Sequence, residues 1–323
     1  MTTTRHAVTR LAINLLPAVV IAAIVAFAGP RKSDERVVHV LFPGSVRFFD
    51  VERKAMEEEA AKRGLVLVFE NANWDAAAQL SQVAAAVEAG ADLVALAAVD
   101  TTVAAGATDV IASSEGPDTP LVTFTNSVSA EPRGLVAGVT AHIGRDEQLA
   151  GRLLASQIKA ITDGPATILS IEGAPGTEPQ ILRHRGLVEG LADVPSLQIA
   201  DEISVDGWRL DLLEPALLTA LAKETPDIVA TQWADAAVLV SAYLRTHGLD
   251  GIRVVSLEWT QALVDEMGYG LIASSTRSSV ADEGRTTIQT IDRILRGEPT
   301  PAFSDIDQVI VRSADRLTIP ADW

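Results

Sequence analysis

Short apolar runs that alternate with helical segments constrain this chain more than any other feature, and the alternation runs through it twice. The first pass reads as a strand at 37–42, Val-Val-His-Val-Leu-Phe, broken by Pro43 and Gly44. A helix at 48–63 follows, with Val51, Ala55 and Met56 on one face, the acidic run 57–59 facing solvent, and Gly64 as its stop. Then come a strand at 65–70, a helix at 75–89, a strand at 93–98, a helix at 101–113 and a strand at 121–124. The second pass restarts with a short strand at 135–139 and a helix at 146–161. It continues with strand 166–171, helix 180–191, strand 197–205, helix 210–222, strand 228–231 and helix 235–248. Strand 254–258, helix 261–267, strand 271–276, the long helix 279–295 and a late strand at 309–311 complete it. Most of these strands lack polar alternation, as strands do when both faces are buried in a parallel sheet covered by helices. Right-handed β-α-β crossovers then give an α/β fold of two similar doubly wound parallel-sheet lobes. The cleft between two such lobes is a common place for a small ligand.

The amino terminus bears on location. Arg5 and Arg10 precede an unbroken apolar run at 11–28, which ends Ala26-Phe27-Ala28 before Gly29. A basic start, an apolar middle and a small-x-small finish read as a secretory signal cut after Ala28. The run is also about long enough to span a bilayer, so an uncleaved anchor is the alternative. Pro17 and the Ala-x-Ala ending favour cleavage. Removing 1–28 leaves 24 basic and 43 acidic residues, a net charge of −19. Such a body repels phosphate backbones and anionic lipid heads, which argues against nucleic-acid or membrane-surface work. The chain has no cysteine, and so no acylation site of a lipoprotein, no disulfide and no thiolate metal site.

Enzyme motifs are missing. None of the five histidines pairs at metal-ligand helix spacing, and no nucleophile elbow or phosphate-cradling lysine loop occurs. Gly173-Ala-Pro-Gly-Thr177 follows a strand but lacks the lysine, and reads as a turn lining the cleft. No catalytic residue, metal or cofactor is expected. A DNA-binding repressor would need a basic helix-turn-helix ahead of the first lobe, where this chain has its apolar segment.

Several stretches together resemble a known family. They are Phe48-Phe49, Gln79-Leu-Ser-Gln-Val83, Gly90-Ala-Asp-Leu-Val94, Val99-Asp100-Thr101, Pro120-Leu-Val-Thr123, His142-Ile-Gly144, Glu172-Gly-Ala-Pro-Gly-Thr177 and Arg183-His-Arg-Gly186. In this order they resemble the type I periplasmic binding proteins of the ribose-binding kind, solute receptors of ABC sugar importers, over residues 37–311. After the signal at 1–28 and a charged linker at 29–36, the resemblance implies a first lobe of 37–143 plus 278–303 and a second of 144–277 plus 304–323. The hinge crossings would lie near Ile143, Arg277 and Phe303, with the lobes closing on ligand. Phe48 and Phe49 stand where the family clamps a sugar ring, Arg183 where an arginine donates to hydroxyls, and Glu258 where an acid, usually aspartate, accepts from them. Elsewhere the usual residues are replaced. Thr125-Asn126 stands for Asp-Arg, Trp233-Ala234 for Asn-Asp, Arg277 for a hinge glutamine, and Ala97 for an asparagine.

The replaced set has its own chemistry. Arg183, Arg277 and Arg47 against one firm acceptor, Glu258, favour an electron-rich or negative group held bidentately. Thr125 and Asn126 donate or accept. Trp233 adds stacking surface, with Trp208 and Trp74 at the rim. Each has a plainer alternative: Phe49 and Trp233 as core, Arg47 as a solvated charge, Arg183 as a helix-surface charge, Arg277 paired with Asp282 or Glu283. The expected ligand is a small polyol, sugar or sugar acid. The expected setting is extracytoplasmic, as a monomer feeding an ABC permease, or as the sensing partner of a membrane sensor kinase or chemoreceptor.

Overall fold

The computed structural model describes residues 35–114, 118–127, 129 and 136–323. The expected export segment at 1–28, its cleavage point and residues 29–34 of the linker lie outside these, as do positions 115–117, 128 and 130–135. Among the described residues no helix is long and apolar enough to cross a membrane.

Two six-stranded sheets carry the fold. The first holds β1 (Arg36–Phe42), β2 (Leu65–Asn71), β3 (Leu93–Leu96), β4 (Leu121–Phe124), β5 (Val139–Gly144) and β11 (Phe303–Asp305), ordered β11-β5-β4-β3-β1-β2 and parallel throughout. The second holds β6 (Ala166–Glu172), β7 (Leu197–Ser204), β8 (Ile228–Thr231), β9 (Arg253–Ser256), β10 (Ile272–Arg277) and β12 (Val309–Arg312), ordered β12-β10-β9-β8-β6-β7. Its pairs are parallel except for the antiparallel β12 against β10. Both sheets wind alike, starting one strand in from an edge.

The strands look as they do because of where they lie. β3, β4 and β8 are buried at every residue, and their sequences are apolar or nearly so. β7 is an edge strand, and its Leu-Gln-Ile-Ala-Asp-Glu-Ile-Ser alternates buried or half-buried with exposed. Each sheet buries one apolar cluster per face. Val38, Val40 and Phe42 join one cluster and Leu41, Val94 and Leu96 the other; Leu169 and Ile171 oppose Ile168 and Ala230 in the same way.

The first sheet carries α1 (Arg47–Arg63), α2 (Ala76–Glu88), α3 (Thr101–Ser113) and α9 (Val280–Leu295), with α9 packed on α1. The second carries α4 (Glu147–Ala160), α5 (Glu178–Leu191), α6 (Leu210–Lys223), α7 (Ala234–Thr246) and α8 (Gln261–Glu266), with α4 packed on α5. Side-chain caps start many of them. Asp75, Asp100, Asp146, Thr177, Thr260 and Ser279 each accept from a backbone N–H in the first turn.

The chain passes between the sheets after Gly144, after Arg277 and after Asp305. The third passage therefore comes later than Phe303, because Phe303–Asp305 pairs with His142–Gly144 as β11. The strand expected at 135–139 is also displaced. Gly138 turns the chain with φ 91°, and β5 begins at Val139. One face of that strand buries His142, whose Nδ1 lies 2.9 Å from Thr123 Oγ1. Nor is the acidic run 57–59 wholly solvated. Glu59 is buried, accepts from Lys62, Arg63 and Gln289, and is held down at a pKa of about 2, chiefly by Arg63.

Candidate functional site

A cleft opens where the carboxyl ends of strands from both lobes face each other. It encloses about 620 Å³ of space between atoms, part of it open to solvent. The first lobe contributes Val46, Arg47, Phe48 and Phe49 around the start of α1, Trp74 after β2, and Thr125 and Asn126 after β4. The second contributes Pro179 and Arg183 of α5, Trp208 after β7, Trp233 and Asp235 at the start of α7, and Glu258 after β9. Arg145, at the first passage between sheets, and Trp323 complete the lining.

The walls are aromatic. Aromatic residues are only 4% of the chain, yet four of its five tryptophans line this one cavity. Phe48 stands edge-to-face with Phe49 at 5.5 Å and with Trp323 at 5.7 Å. Trp208 meets Trp233 edge-to-face at 5.3 Å on the opposite lobe. Two glycines make room for these rings. A Cβ on Gly44 would run into the Trp74 indole, and one on Gly173 into the Trp208 indole. Backbone strain gathers here too. Five described non-glycine residues have positive φ, and four of them line the cavity: Trp74 at 63°, Thr125 at 55°, Trp208 at 58° and Glu258 at 74°. Such strain persists only where surroundings hold it, and it concentrates at functional sites.

The polar groups divide into those already partnered and those facing the space. Arg183 is only 3% exposed. Its Nε donates to Glu147 Oε2 at 2.6 Å, Nη2 to Glu147 Oε1 at 3.0 Å, and Nη1 to the Gln232 carbonyl at 2.7 Å. Burial opposes ionisation of Glu147, but Arg183 and Arg145 outweigh it and hold its pKa below the ordinary value. Thr125 turns its hydroxyl away from the cavity, to within 3.0 Å of Glu52 Oε1 and of Glu283 Oε1. One hydroxyl carries one proton, so it serves one carboxylate; the second contact needs a proton on a carboxyl group. Burial raises both carboxyl groups, Glu52 well above the usual carboxylate range with Glu283 adding to the shift, so this buried pair holds the proton that the second contact needs. Asn126 donates from Nδ2 to the Ala98 carbonyl at 2.9 Å.

Glu258 accepts from the Ala234 N–H at the start of α7, at 3.1 Å. Burial raises its pKa to about 7 against the opposing pull of Arg183 and Arg145. Asp235 is likewise raised by burial, with Arg47 opposing.

Eight of the nine site residues expected from sequence thus line one cavity, and Arg277 does not. It pairs with Asp322 at 2.9 Å, in a separate groove with Ser278 and Asp282. This overturns the charge count that favoured a sugar acid. With Arg277 elsewhere and Arg183 held bidentately by Glu147, the cavity also exposes Asp235 beside Glu258. Five lining residues were not expected as site residues: Val46, Pro179, Arg145, Asp235 and Trp323. Arg145 directly follows the His142-Ile-Gly144 stretch, Asp235 is the second residue of α7, and Trp323 is far from any strand end. Outside the cavity, Glu172, His184 and Glu202 offer donor atoms within 4.8 Å of one another. His184 Nδ1 lies 2.7 Å from Glu172 Oε1 and Gln180 donates to Oε2, so these groups satisfy each other.

A family described as "Periplasmic binding protein domain" matches residues 37–299. The chain belongs to the periplasmic binding protein family. It is 26% identical to the ribose import binding protein RbsB of Escherichia coli K12 over 179 residues, 54% of this chain and 58% of that protein. Among solved structures it resembles a Caulobacter myo-inositol binding protein bound to myo-inositol, with TM-score 0.79 and 22% identity, covering 88% of this chain and 96% of that one. A fructose-binding periplasmic domain of a hybrid two-component system gives TM-score 0.78 and 17% identity over 88% and 92%. The fold is the type I form of this family, two parallel-sheet lobes around a cleft.

Proposed function

We propose that this protein captures a small neutral sugar or cyclic polyol between its lobes, outside the cytoplasm, and delivers it to an ABC importer. The observation that carries this is the aromatic lining drawn from both lobes, Phe48 against Trp323 and Trp208 with Trp233, beside buried hydrogen-bonding groups. Flat apolar ring faces stack on aromatic surface, while hydroxyls need donors and acceptors at the edges. The myo-inositol and ribose proteins that this chain resembles support the ligand class. Neutrality follows from the carboxyl groups that surround each buried arginine. A second reading, in which the protein senses its ligand for a membrane kinase, is favoured by its likeness to the two-component periplasmic domain.

A melting-temperature screen against myo-inositol, ribose, fructose, glucose and glucuronate tests the ligand class. A ligand at 100 times its Kd adds about 2.7 kcal/mol to the native state. An upward shift with neutral rings and none with glucuronate is expected. A shift with glucuronate alone would contradict the assignment.

A further inference from the structure

Two buried arginines line the cleft, and their donors are used differently. Arg183 has three hydrogen bonds within the protein. Arg145 has none among the described residues, although it is only 5% exposed. Its guanidinium carbon lies 4.9 Å from the centroid of Phe48. Its Nε is 3.4 Å from Glu147 Oε1 on the second lobe and 3.8 Å from Glu283 Oε2 on the first. Both contacts are charge neighbours outside hydrogen-bond geometry, and Nε and Glu283 Oε2 are both without a hydrogen-bond partner. An arginine carries five N–H donors, and leaving buried donors unused is costly. The charge of Arg145 is thus balanced while its donors await an acceptor in the cavity.

We propose that Arg145 is the residue that reads the ligand, its face packed on Phe48 and its edge donating to two neighbouring oxygens of an uncharged ring, a vicinal diol. This rests on the sugar or polyol reading above. The planar fork of a guanidinium suits paired oxygens, which a lysine ammonium does not match. The ligand is uncharged because Glu147 and Glu283 already flank Arg145 from both lobes, while Asp235 and Glu258 line the same cavity. A ligand carboxylate would enter beside Glu147, which Arg183 and Arg145 keep ionised, and meet repulsion that a hydroxyl pair does not. Arg145 therefore supplies the paired donors, and the carboxyl groups that offset its charge leave it suited to neutral rings rather than to their acid counterparts.

The test is calorimetric titration of the full chain with myo-inositol, glucose and glucuronate, for the natural protein and for Arg145→Met and Arg145→Lys, with melting temperatures alongside. Lys keeps a cation between Glu147 and Glu283 and serves if the Met variant does not fold. The expected result is glucose or inositol binding at least about tenfold tighter than glucuronate, and a loss of roughly 10- to 100-fold for both variants. Removal of the charge in the Met variant also changes the ratio of neutral to acid affinity, which a purely structural arginine would leave unchanged. Folded variants that bind neutral rings within about threefold of the natural protein overturn the role of Arg145 and leave the sugar reading standing. Glucuronate binding as tightly as glucose overturns the discrimination. A natural protein that binds none of the three overturns the sugar reading and the proposal together.

Discussion

The Arg183–Glu147 pair shows what a buried charge demands at the scale of single residues. Neither group reaches solvent, and the arginine is held on both edges. Such a pair contributes little net stability, but removing one partner leaves the other buried and uncompensated. Glu147→Ala strands Arg183 and weakens the hold on Arg145, and is expected to cost about 3–5 kcal/mol. Urea denaturation of the variant beside the natural protein measures it. A cost below about 1 kcal/mol would mean that water reaches these groups. The same scale explains why Arg183 was legible in sequence as a cleft residue but not in its role. A sequence places an arginine on a helix face; it does not reveal that Glu147, 36 positions away, occupies it.

At the scale of elements, the site depends on where strands end. β1 stops at Pro43-Gly44 and β6 at Gly173, and in both places the missing side chain seats a tryptophan ring. Gly173→Ala is expected to displace Trp208, weakening ligand affinity by roughly tenfold through lost stacking surface, while the sheet keeps its pairing. Calorimetry with tryptophan emission reads both; unchanged affinity and emission would show that the ring adjusts freely. The elements themselves were largely legible. Helix Thr101–Ser113 and strands Leu121–Phe124 and Ile228–Thr231 coincide with the sequence reading, because continuous burial and a capping aspartate leave plain marks. β5 was missed because Thr140 and His142 interrupt its apolar pattern, and β11 because three half-polar residues carry no period. Thr125, Trp233 and Glu258, expected from the family resemblance, line the cavity because they follow strand ends. Trp323 was not expected, since only tertiary packing brings it to Phe48.

At the scale of the whole molecule, contacts across the cleft set the cost of closing it. The Thr101 N–H donates to the Gly176 carbonyl at 3.2 Å, and Trp323 packs on Phe48. Glu178, at the start of α5, is 4% exposed and meets the Ser127 backbone across the cleft. Burial, then the nearby Glu147, raises its pKa well above the ordinary 4.5. With the lobes apart this carboxyl regains water and its ordinary pKa, so closure takes up a proton. Raised in the closed form, the group favours closure fully below the ordinary pKa, and the advantage is lost as pH rises toward the closed-form value. Ligand affinity is therefore expected to weaken between pH 5 and pH 8, and Glu178→Gln to flatten that slope. Titration calorimetry at both ends checks it, and an identical slope in the variant would remove Glu178 from closure.

The central claim is that a neutral ring enters between the aromatic walls, and the four tryptophans there report on it directly. The most direct measurement is a titration of their fluorescence in the purified full chain with myo-inositol, glucose and glucuronate. A saturable emission change with a neutral ring, and none or a far weaker one with glucuronate, is predicted. Emission that stays flat with every neutral ring, or that responds to the acid first, would contradict it.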